Sequence, residues 1–132
     1  ANRAEARALT GHDIPSAAAF RLADAAETAV VTLGADGCVA ARAGELITVP
    51  APRVVVHDTT GAGDLFTAAY VWADLAGFPL RAALEHASLY AALALTTGTA
   101  VDAAPTLDRL LAEARQRGLA QPPILGLEES IT

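Results

Sequence analysis

Two long apolar segments in the second half of the chain restrict the fold more than any other feature of the sequence. Residues 65–76 stop at Gly77, and residues 80–96 are entered through Pro79 and stop at Gly98. Both segments are rich in alanine and apolar on most of their helical faces. A helix without a broad polar face is largely buried. The two segments are therefore expected to pack closely on a sheet or on each other.

Shorter helical and strand-like segments surround these two helices. Hydrophobic periodicity and turn residues predict helices at residues 4–9, 16–26 and 107–118 and strands at residues 29–33, 38–42, 45–49 and 53–57. Gly11 is expected to end the first helix, Ser16 to cap the second and Thr106 to cap the last. Ala43 and Gly44 separate two of the strands, which predicts a hairpin. This order predicts an α/β layer structure whose sheet is covered by helices.

Composition limits the functions open to the chain. With 53% hydrophobic and 18% charged residues over 132 positions, it has the profile of a folded globular protein. All nine basic residues are arginines, which excludes P-loop, Schiff-base and protein-kinase lysines. The net charge of −6, without any basic run, argues against nucleic acid or an anionic membrane as a partner.

The cysteine count and the length of the apolar stretches indicate the cellular compartment of the protein. Cys38 is the single cysteine, so it forms no intrachain disulfide, and its expected place is in the core. The most apolar stretch, residues 65–78, contains Asp74 and is shorter than the roughly 20 residues that span a bilayer. Residues 1–5 lack the apolar run of a signal peptide. These features favour a cytoplasmic protein.

The segment most able to carry chemistry is Asp-Thr-Thr-Gly-Ala-Gly-Asp at residues 58–64, between a valine-rich strand and the first long helix. Gly61 and Gly63 have no side chain and Ala62 a small one, so backbone N–H groups can approach an anion at the positive end of the helix dipole. Beside such a site, the carboxylate of Asp64 can accept the proton of an attacking hydroxyl, as phosphoryl transfer requires. The residues alone equally allow a tight turn followed by an ordinary first-turn acid.

This segment, together with Phe66 and residues 68–69, resembles the second signature of the ribokinase or PfkB family of carbohydrate kinases. Residues 2–11 resemble the family's Asn-x-x-Glu segment, and residues 31–37 resemble its nucleotide-site loop, in the family order. The resemblance covers about residues 2–118. It implies the C-terminal portion of a ribokinase-like layered fold without the small lid and the N-terminal part, followed by a tail at residues 119–132.

The resemblance also implies an activity, the ATP-dependent transfer of a phosphoryl group to a sugar hydroxyl. Asp64 would be the general base, and residues 61–63 would form an anion hole around the transferring phosphate. Asn2 and Glu5 would help to place Mg²⁺ and its waters, which suits hard oxygen ligands. From the residues alone, Asn2 and Glu5 fit a helix cap and a first-turn acid equally well.

The resemblance places further residues around the nucleotide. Thr32, Gly34 and Gly37 would lie along it, although a plain turn explains these residues if the other motifs are set aside. Ser88 would flank the adenine, at a position where many relatives carry Asn or His. His86, two residues away, is expected to have a structural role.

The remaining implications concern a second cation, the partners and the alternatives. Asp58 and Thr60, with the loop after Thr96, would bind a monovalent cation such as K⁺. The family's sugar-selecting part precedes the Asn-x-x-Glu segment, so the chain is expected to be an inactive fragment whose partners are ATP, a small sugar, and the missing half or a second copy. A nucleoside kinase of the same family and a non-catalytic module that binds a nucleotide or a protein remain open.

Overall fold

The computed structural model describes residues 1–53, 62–96 and 105–123. The chain forms two compact units, a first unit at Ala1–Ala51 and a second unit at Pro52–Thr132. Most of the strand predicted at residues 53–57 and the stop predicted at Gly98 lie outside the described residues.

The first unit combines two helices with a three-stranded sheet. Its elements are α1 (Arg3–Thr10), α2 (Pro15–Leu22), β1 (Thr28–Thr32), a 3₁₀ turn (Gly34–Asp36), β2 (Cys38–Arg42) and β3 (Glu45–Val49). The strands are antiparallel in the order β1-β2-β3. The predicted hairpin is confirmed: Arg42 pairs with Glu45, and Ala43 and Gly44 have φ values of 51° and 79°. Two consecutive positive φ angles are those of a type I′ turn, whose twist matches the strands.

One face of this sheet packs against the two helices. The register places Val31 opposite Val39 and Ala29 opposite Ala41, so that their side chains share a face. A buried cluster on this side consists of Ala6 from α1, Ala18 and Ala19 from α2, and Val31, Val39 and Ala41 from the strands. Cys38, on the opposite face, is fully buried as expected.

The boundaries of α2 differ from the sequence prediction. Ser16 was expected to be the N-cap, but the helix begins at Pro15 with Ile14 in the N-cap position. Proline is favoured at the first helical position because its fixed φ suits the helix and its missing N–H would have no partner there. The helix also ends at Leu22, short of residue 26, because Asp24 and Ala25 donate to Arg21 and Leu22 in tighter turns.

The described residues of the second unit form three helices: α3 (Ala62–Leu75), α4 (Leu80–Leu95) and α5 (Leu107–Gln116). The first two are the long apolar segments, and they pack on each other through small side chains that include Ala73 and Ala83. Leu89 and Leu93 of α4 pack against Leu110 and Ala114 of α5. Side chains this small allow helix backbones to approach closely, and burial stabilises the unit through the hydrophobic effect.

Burial is more complete in α4 than in α3. Ten side chains of α4 are buried, whereas α3 exposes Val71 and Leu75. Thr106 caps α5 as predicted, because its hydroxyl accepts a hydrogen bond from the backbone N–H of Arg109 at 3.2 Å. Leu119, beyond the end of α5, packs on the α4–α5 cluster. Within the described ranges, no helix has the length and apolar character needed to span a membrane.

Candidate functional site

The first turn of α1 holds two of the candidate residues in a capping box. The side-chain Oδ1 of Asn2 accepts from the backbone N–H of Glu5 at 2.8 Å, and Oε1 of Glu5 accepts from the backbone N–H of Asn2 at 2.9 Å. Both residues are exposed. The helix-cap interpretation of this pair is therefore the arrangement present in the structure, and it engages the single side-chain oxygen of Asn2 and one of the two carboxylate oxygens of Glu5.

The candidate nucleotide residues lie at the end of β1 and in the turn that follows it. Leu33 donates to the Gly37 carbonyl at 2.7 Å, and Gly37 donates to the Gly34 carbonyl at 3.1 Å, which closes the turn. Gly37 has a φ of 91°, and a Cβ at this position would collide with the Val49 carbonyl oxygen. Gly34 has a φ of 59°, but a Cβ there would meet nothing within 4 Å. The turn is therefore open on its outer side, at Gly34, whereas the position on its inner side, Gly37, requires glycine.

These two segments are neighbours in the first unit. Asn2 forms a parallel β-bridge with Thr32, and the backbone N–H of Thr32 donates to the Ala1 carbonyl at 2.9 Å. Arg3, the first residue of α1, forms an ion pair with Asp36 on the turn, with Nη2 and Oδ2 3.5 Å apart. The fold thus brings together residues that the sequence assigned to the metal and to the nucleotide. The Arg3–Asp36 pair was missed, because both residues lie inside the two motif segments but neither was assigned a role there.

The first turn of α3 holds the candidate base. The helix begins at Ala62, three residues earlier than predicted, so that Ala62, Gly63 and Asp64 are its first three residues. Backbone N–H groups of a first turn have no partner inside the helix and carry the positive end of its dipole. Gly63 and Asp64 are exposed, and a Cβ at Gly63 would meet nothing within 4 Å. This helix end can accept an anion without steric obstruction from the described residues.

The hydroxyl of Thr67 donates to the Gly63 carbonyl at 2.9 Å, one turn further along α3. The three other candidates of the same motif, Asp58, Thr60 and Gly61, lie outside the described residues.

The candidate for the adenine position, Ser88, lies on α4, two residues after His86, for which a structural role is expected. Ser88 is half-buried, whereas His86 is fully buried. Nδ1 of His86 lies 2.9 Å from the Ala82 carbonyl oxygen, and its ring centroid is 4.5 Å from that of Phe78. Its Nε2 has no hydrogen-bond partner among the described residues. His86 therefore packs in the helical core.

A metal would find few protein ligands in the part of the chain that the structure describes, where no three His, Cys, Asp or Glu side chains come together. The oxygens of Asn2 and Glu5 match the hard ligands that Mg²⁺ prefers. Because each residue already uses one oxygen in the capping box, a magnesium ion there would take most of its ligands from water and phosphate. Mg²⁺ is commonly held in this way at phosphate sites.

Comparison with known proteins adds an independent finding. Residues 1–107 match the model of a family described as pfkB family carbohydrate kinase. The chain is 37% identical over 100 residues to the aminoimidazole riboside kinase of Salmonella typhimurium, covering 72% of this chain and 31% of that enzyme. It is 36% identical over 110 residues to mouse ribokinase, covering 74% of this chain and 34% of that enzyme. The chain thus spans about a third of the length of the curated relatives it matches.

A solved structure shows the same likeness in three dimensions. An E. coli protein described as ribokinase II, solved in complex with ATP and Mg²⁺, superposes with a TM-score of 0.78 at 26% identity. The match covers 87% of this chain and 38% of that protein. It confirms the predicted α/β, ribokinase-like fold class.

Proposed function

Because the chain belongs to the pfkB family of carbohydrate kinases, we propose that it carries the base and nucleotide-binding part of an ATP-dependent kinase acting on a sugar hydroxyl. The observation that carries this proposal is the position of Asp64. Its carboxylate is exposed on the first turn of α3, directly after Ala62 and Gly63, at the helix end suited to an anion.

The chemistry assigned to α3 follows from this placement. Asp64 accepts the proton of the acceptor hydroxyl as the hydroxyl oxygen attacks the terminal phosphorus of ATP, whose bond to the bridging oxygen breaks so that ADP leaves. The backbone N–H groups of residues 61–63 donate hydrogen bonds to the transferring phosphate. The missing Cβ of Gly63 leaves room for that phosphate to approach the backbone. ATP, when bound, supplies the phosphoryl group, and Mg²⁺ offsets its negative charge.

The remaining roles are assigned to the first turn of α1 and to the motif before α3. Asn2 and Glu5 orient the waters of Mg²⁺, Glu5 through the Oε2 that the capping box leaves available and Asn2 through the second lone pair of its Oδ1. A monovalent cation such as K⁺ is assigned to Asp58 and Thr60. Both cation assignments rest on the family resemblance of these motifs.

The nucleotide is assigned to the turn after β1 and to α4. Thr32, Gly34 and Gly37 line it, and the open outer side of the turn at Gly34 supports this assignment. Ser88 flanks the base, and its partial exposure on α4 is compatible with a contact there. The isolated chain is proposed to be inactive by itself, since it spans only about a third of the length of the relatives it matches.

A second acceptor class has a specific observation in its favour. One of the similar enzymes acts, by its name, on aminoimidazole riboside, a nucleoside-like molecule, whereas mouse ribokinase is named for ribose. Both acceptors carry a ribose unit with free hydroxyls. A panel containing ribose, fructose, adenosine and aminoimidazole riboside separates the two classes by product analysis.

Calorimetric titration of the chain with MgATP tests the nucleotide half of the proposal. We expect binding in the micromolar to millimolar range. Failure of the folded chain to bind MgATP would contradict a preformed nucleotide site.

The catalytic half is tested in a longer protein that contains this chain and has the full length of the family relatives. Kinases turn over roughly 1–100 times per second. Asp64→Asn should leave ATP affinity within about twofold of the unmodified protein and lower turnover by about two to four orders of magnitude. Asp108→Asn is the matched control, because Asp108 is also an exposed first-turn acid, on α5. An equal loss of ATP affinity and turnover in Asp64→Asn would show that Asp64 is structural.

A further inference from the structure

The turn at Gly34–Asp36 is held at its base but projects into solvent at its tip. Backbone hydrogen bonds close the base, from Leu33 to the Gly37 carbonyl and from Gly37 to the Gly34 carbonyl. The three residues of the 3₁₀ turn are exposed. At the tip, the carboxylate of Asp36 reaches the guanidinium of Arg3 on the first turn of α1. This ion pair connects the tip of the turn to the helix that carries Asn2 and Glu5.

The position of Arg3 is not explained by the stability of its own helix. It is the first residue of α1, where the positive end of the helix dipole disfavours a cation. The same helix has a second arginine near its other end, where a cation is favoured, and there Arg7 pairs with Asp13 at 2.7 Å. An arginine at the unfavourable end, paired with a carboxylate on a neighbouring turn, therefore points to a role in the turn.

We propose that Arg3 and Asp36 are positioning residues that hold the turn after β1 in one orientation relative to the first turn of α1. This inference rests on the proposed function, in which Asn2 and Glu5 place the magnesium ion and the turn lines the nucleotide. A fixed orientation keeps the two halves of that binding surface at a constant spacing before the nucleotide arrives. Pre-ordering of this kind raises affinity by reducing the ordering cost of binding.

The size of the effect is limited by exposure. The side chains of Arg3 and Asp36 are 56% and 77% exposed, and ion pairs of this kind contribute little because water competes for both partners. The expected change in the population of the ordered turn is therefore about two- to fivefold. A difference of that size is measurable at individual amides, since exchange rates follow the population of the open state.

The first experiment is amide hydrogen exchange, followed by NMR, on the full chain without nucleotide. The reporters are the amides of Asp36 and Gly37, which donate within the turn to Leu33 and Gly34. We expect about two- to fivefold faster exchange at both amides in Arg3→Gln and in Asp36→Asn. Arg7→Gln is the matched control, because it removes an equally exposed ion pair from the same helix and should leave the turn unchanged.

The amides of α1 show whether Arg3 acts on its own helix or on the turn. Arg3→Gln removes a cation from the positive end of α1, so the protection of the α1 amides should be unchanged or higher. In Arg3→Gln the turn is thus expected to lose protection, whereas α1 is not. The reversed pair, Arg3→Asp combined with Asp36→Arg, should restore exchange at the turn to within about twofold of the unmodified chain. Unchanged exchange at Asp36 and Gly37 in both single variants overturns the proposal.

Calorimetric titration with MgATP then tests the consequence for binding. Affinity should fall about two- to fivefold in Arg3→Gln and in Asp36→Asn but not in Arg7→Gln. Faster exchange without any loss of affinity overturns the role in nucleotide positioning. If the unmodified chain does not bind MgATP, the preformed nucleotide site of the proposed function fails, whereas the exchange measurement still decides whether the pair restrains the turn.

Discussion

Gly37 offers the sharpest test of the turn geometry, through the substitution Gly37→Ala. Gly37 has φ 91° and ψ −135°, a region that is nearly restricted to glycine. An alanine Cβ would lie 2.9 Å from the backbone nitrogen of Ala51 and from the carbonyl carbon of Pro50, and it would collide with the Val49 carbonyl oxygen. All three atoms belong to the backbone, so no side-chain rotation can relieve the collision.

The expected loss of stability is the sum of a backbone-conformation cost and a hydrogen-bond cost. The unfavourable φ and ψ cost about 1–3 kcal/mol. Displacing Val49 disturbs its pairing with Cys38 at the end of the β2–β3 ladder, at about 1 kcal/mol for each hydrogen bond lost. We therefore expect Gly37→Ala to lower the free energy of unfolding by about 3 kcal/mol. At typical urea m-values of about 1–3 kcal/mol/M, the midpoint of unfolding should fall by about 1–3 M.

Gly34→Ala is the matched control in the same turn. Gly34 has a φ of 59°, which is in the left-handed region, but an added Cβ would meet nothing within 4 Å. The expected cost is about 1 kcal/mol, because only the left-handed conformation of alanine is penalised. Urea unfolding followed by far-UV circular dichroism measures both variants, with the fluorescence of Trp72 as a separate reporter of the second unit. A cost for Gly37→Ala no larger than that for Gly34→Ala would refute the reasoning.

Three further predictions use urea unfolding as the measurement. His86→Leu should change stability by less than about 1 kcal/mol, because it removes a buried nitrogen without a partner, whereas His86→Ala should cost about 2–4 kcal/mol through the cavity that it leaves. Asn2→Ala should cost about 1 kcal/mol, and Asn2→Asp, an equally good N-cap, should cost almost nothing; equal losses would show that the cap is unimportant. Thr106→Ala should destabilise α5 by about 1 kcal/mol, while Thr106→Ser should retain the cap; an unchanged midpoint in Thr106→Ala would contradict this role.

Much of the secondary structure could be predicted because local chemistry determines it. The Ala43–Gly44 hairpin, the C-cap at Gly11 and the N-cap at Thr106 each depend on residues within a few positions of one another. Boundaries were less predictable where two local preferences compete. At α2, the preference of Pro15 for the first helical position outweighed that of Ser16 for the N-cap.

The start of α3 and the 3₁₀ turn show a different limit. Glycine is a poor helix former, so the sequence prediction placed Gly63 before the helix, yet the structure includes it in the first turn. Near a helix end this penalty is small, because few intrahelical hydrogen bonds are involved. The turn at Gly34–Asp36 was predicted as a turn, but its helical geometry depends on closure by Leu33 and Gly37.

The candidate site also has a part that the sequence predicted and a part that it did not. Family motifs predicted roles for Asp64, Asn2 and Glu5 from residue type and spacing, and these remain predictions, whereas the α/β, ribokinase-like fold that the motifs implied is confirmed. The ion pair between Arg3 and Asp36 could not be predicted, because it joins two ordinary charged residues that only the folded chain brings together. Spacing along the sequence carries no information about a contact of this kind.

The hairpin turn also has a consequence for the order of folding. Ala43 adopts a φ of 51°, which costs an alanine about 1–2 kcal/mol that asparagine or glycine would largely avoid. A turn with this penalty is a weak nucleation point, so β2 and β3 gain little from closing on their own. The buried residues Val39 and Ala41 meet α1 and α2 on the sheet face instead. We expect the hairpin to become stable only as the helices collapse onto the strands, late in folding and from the packed face toward the turn.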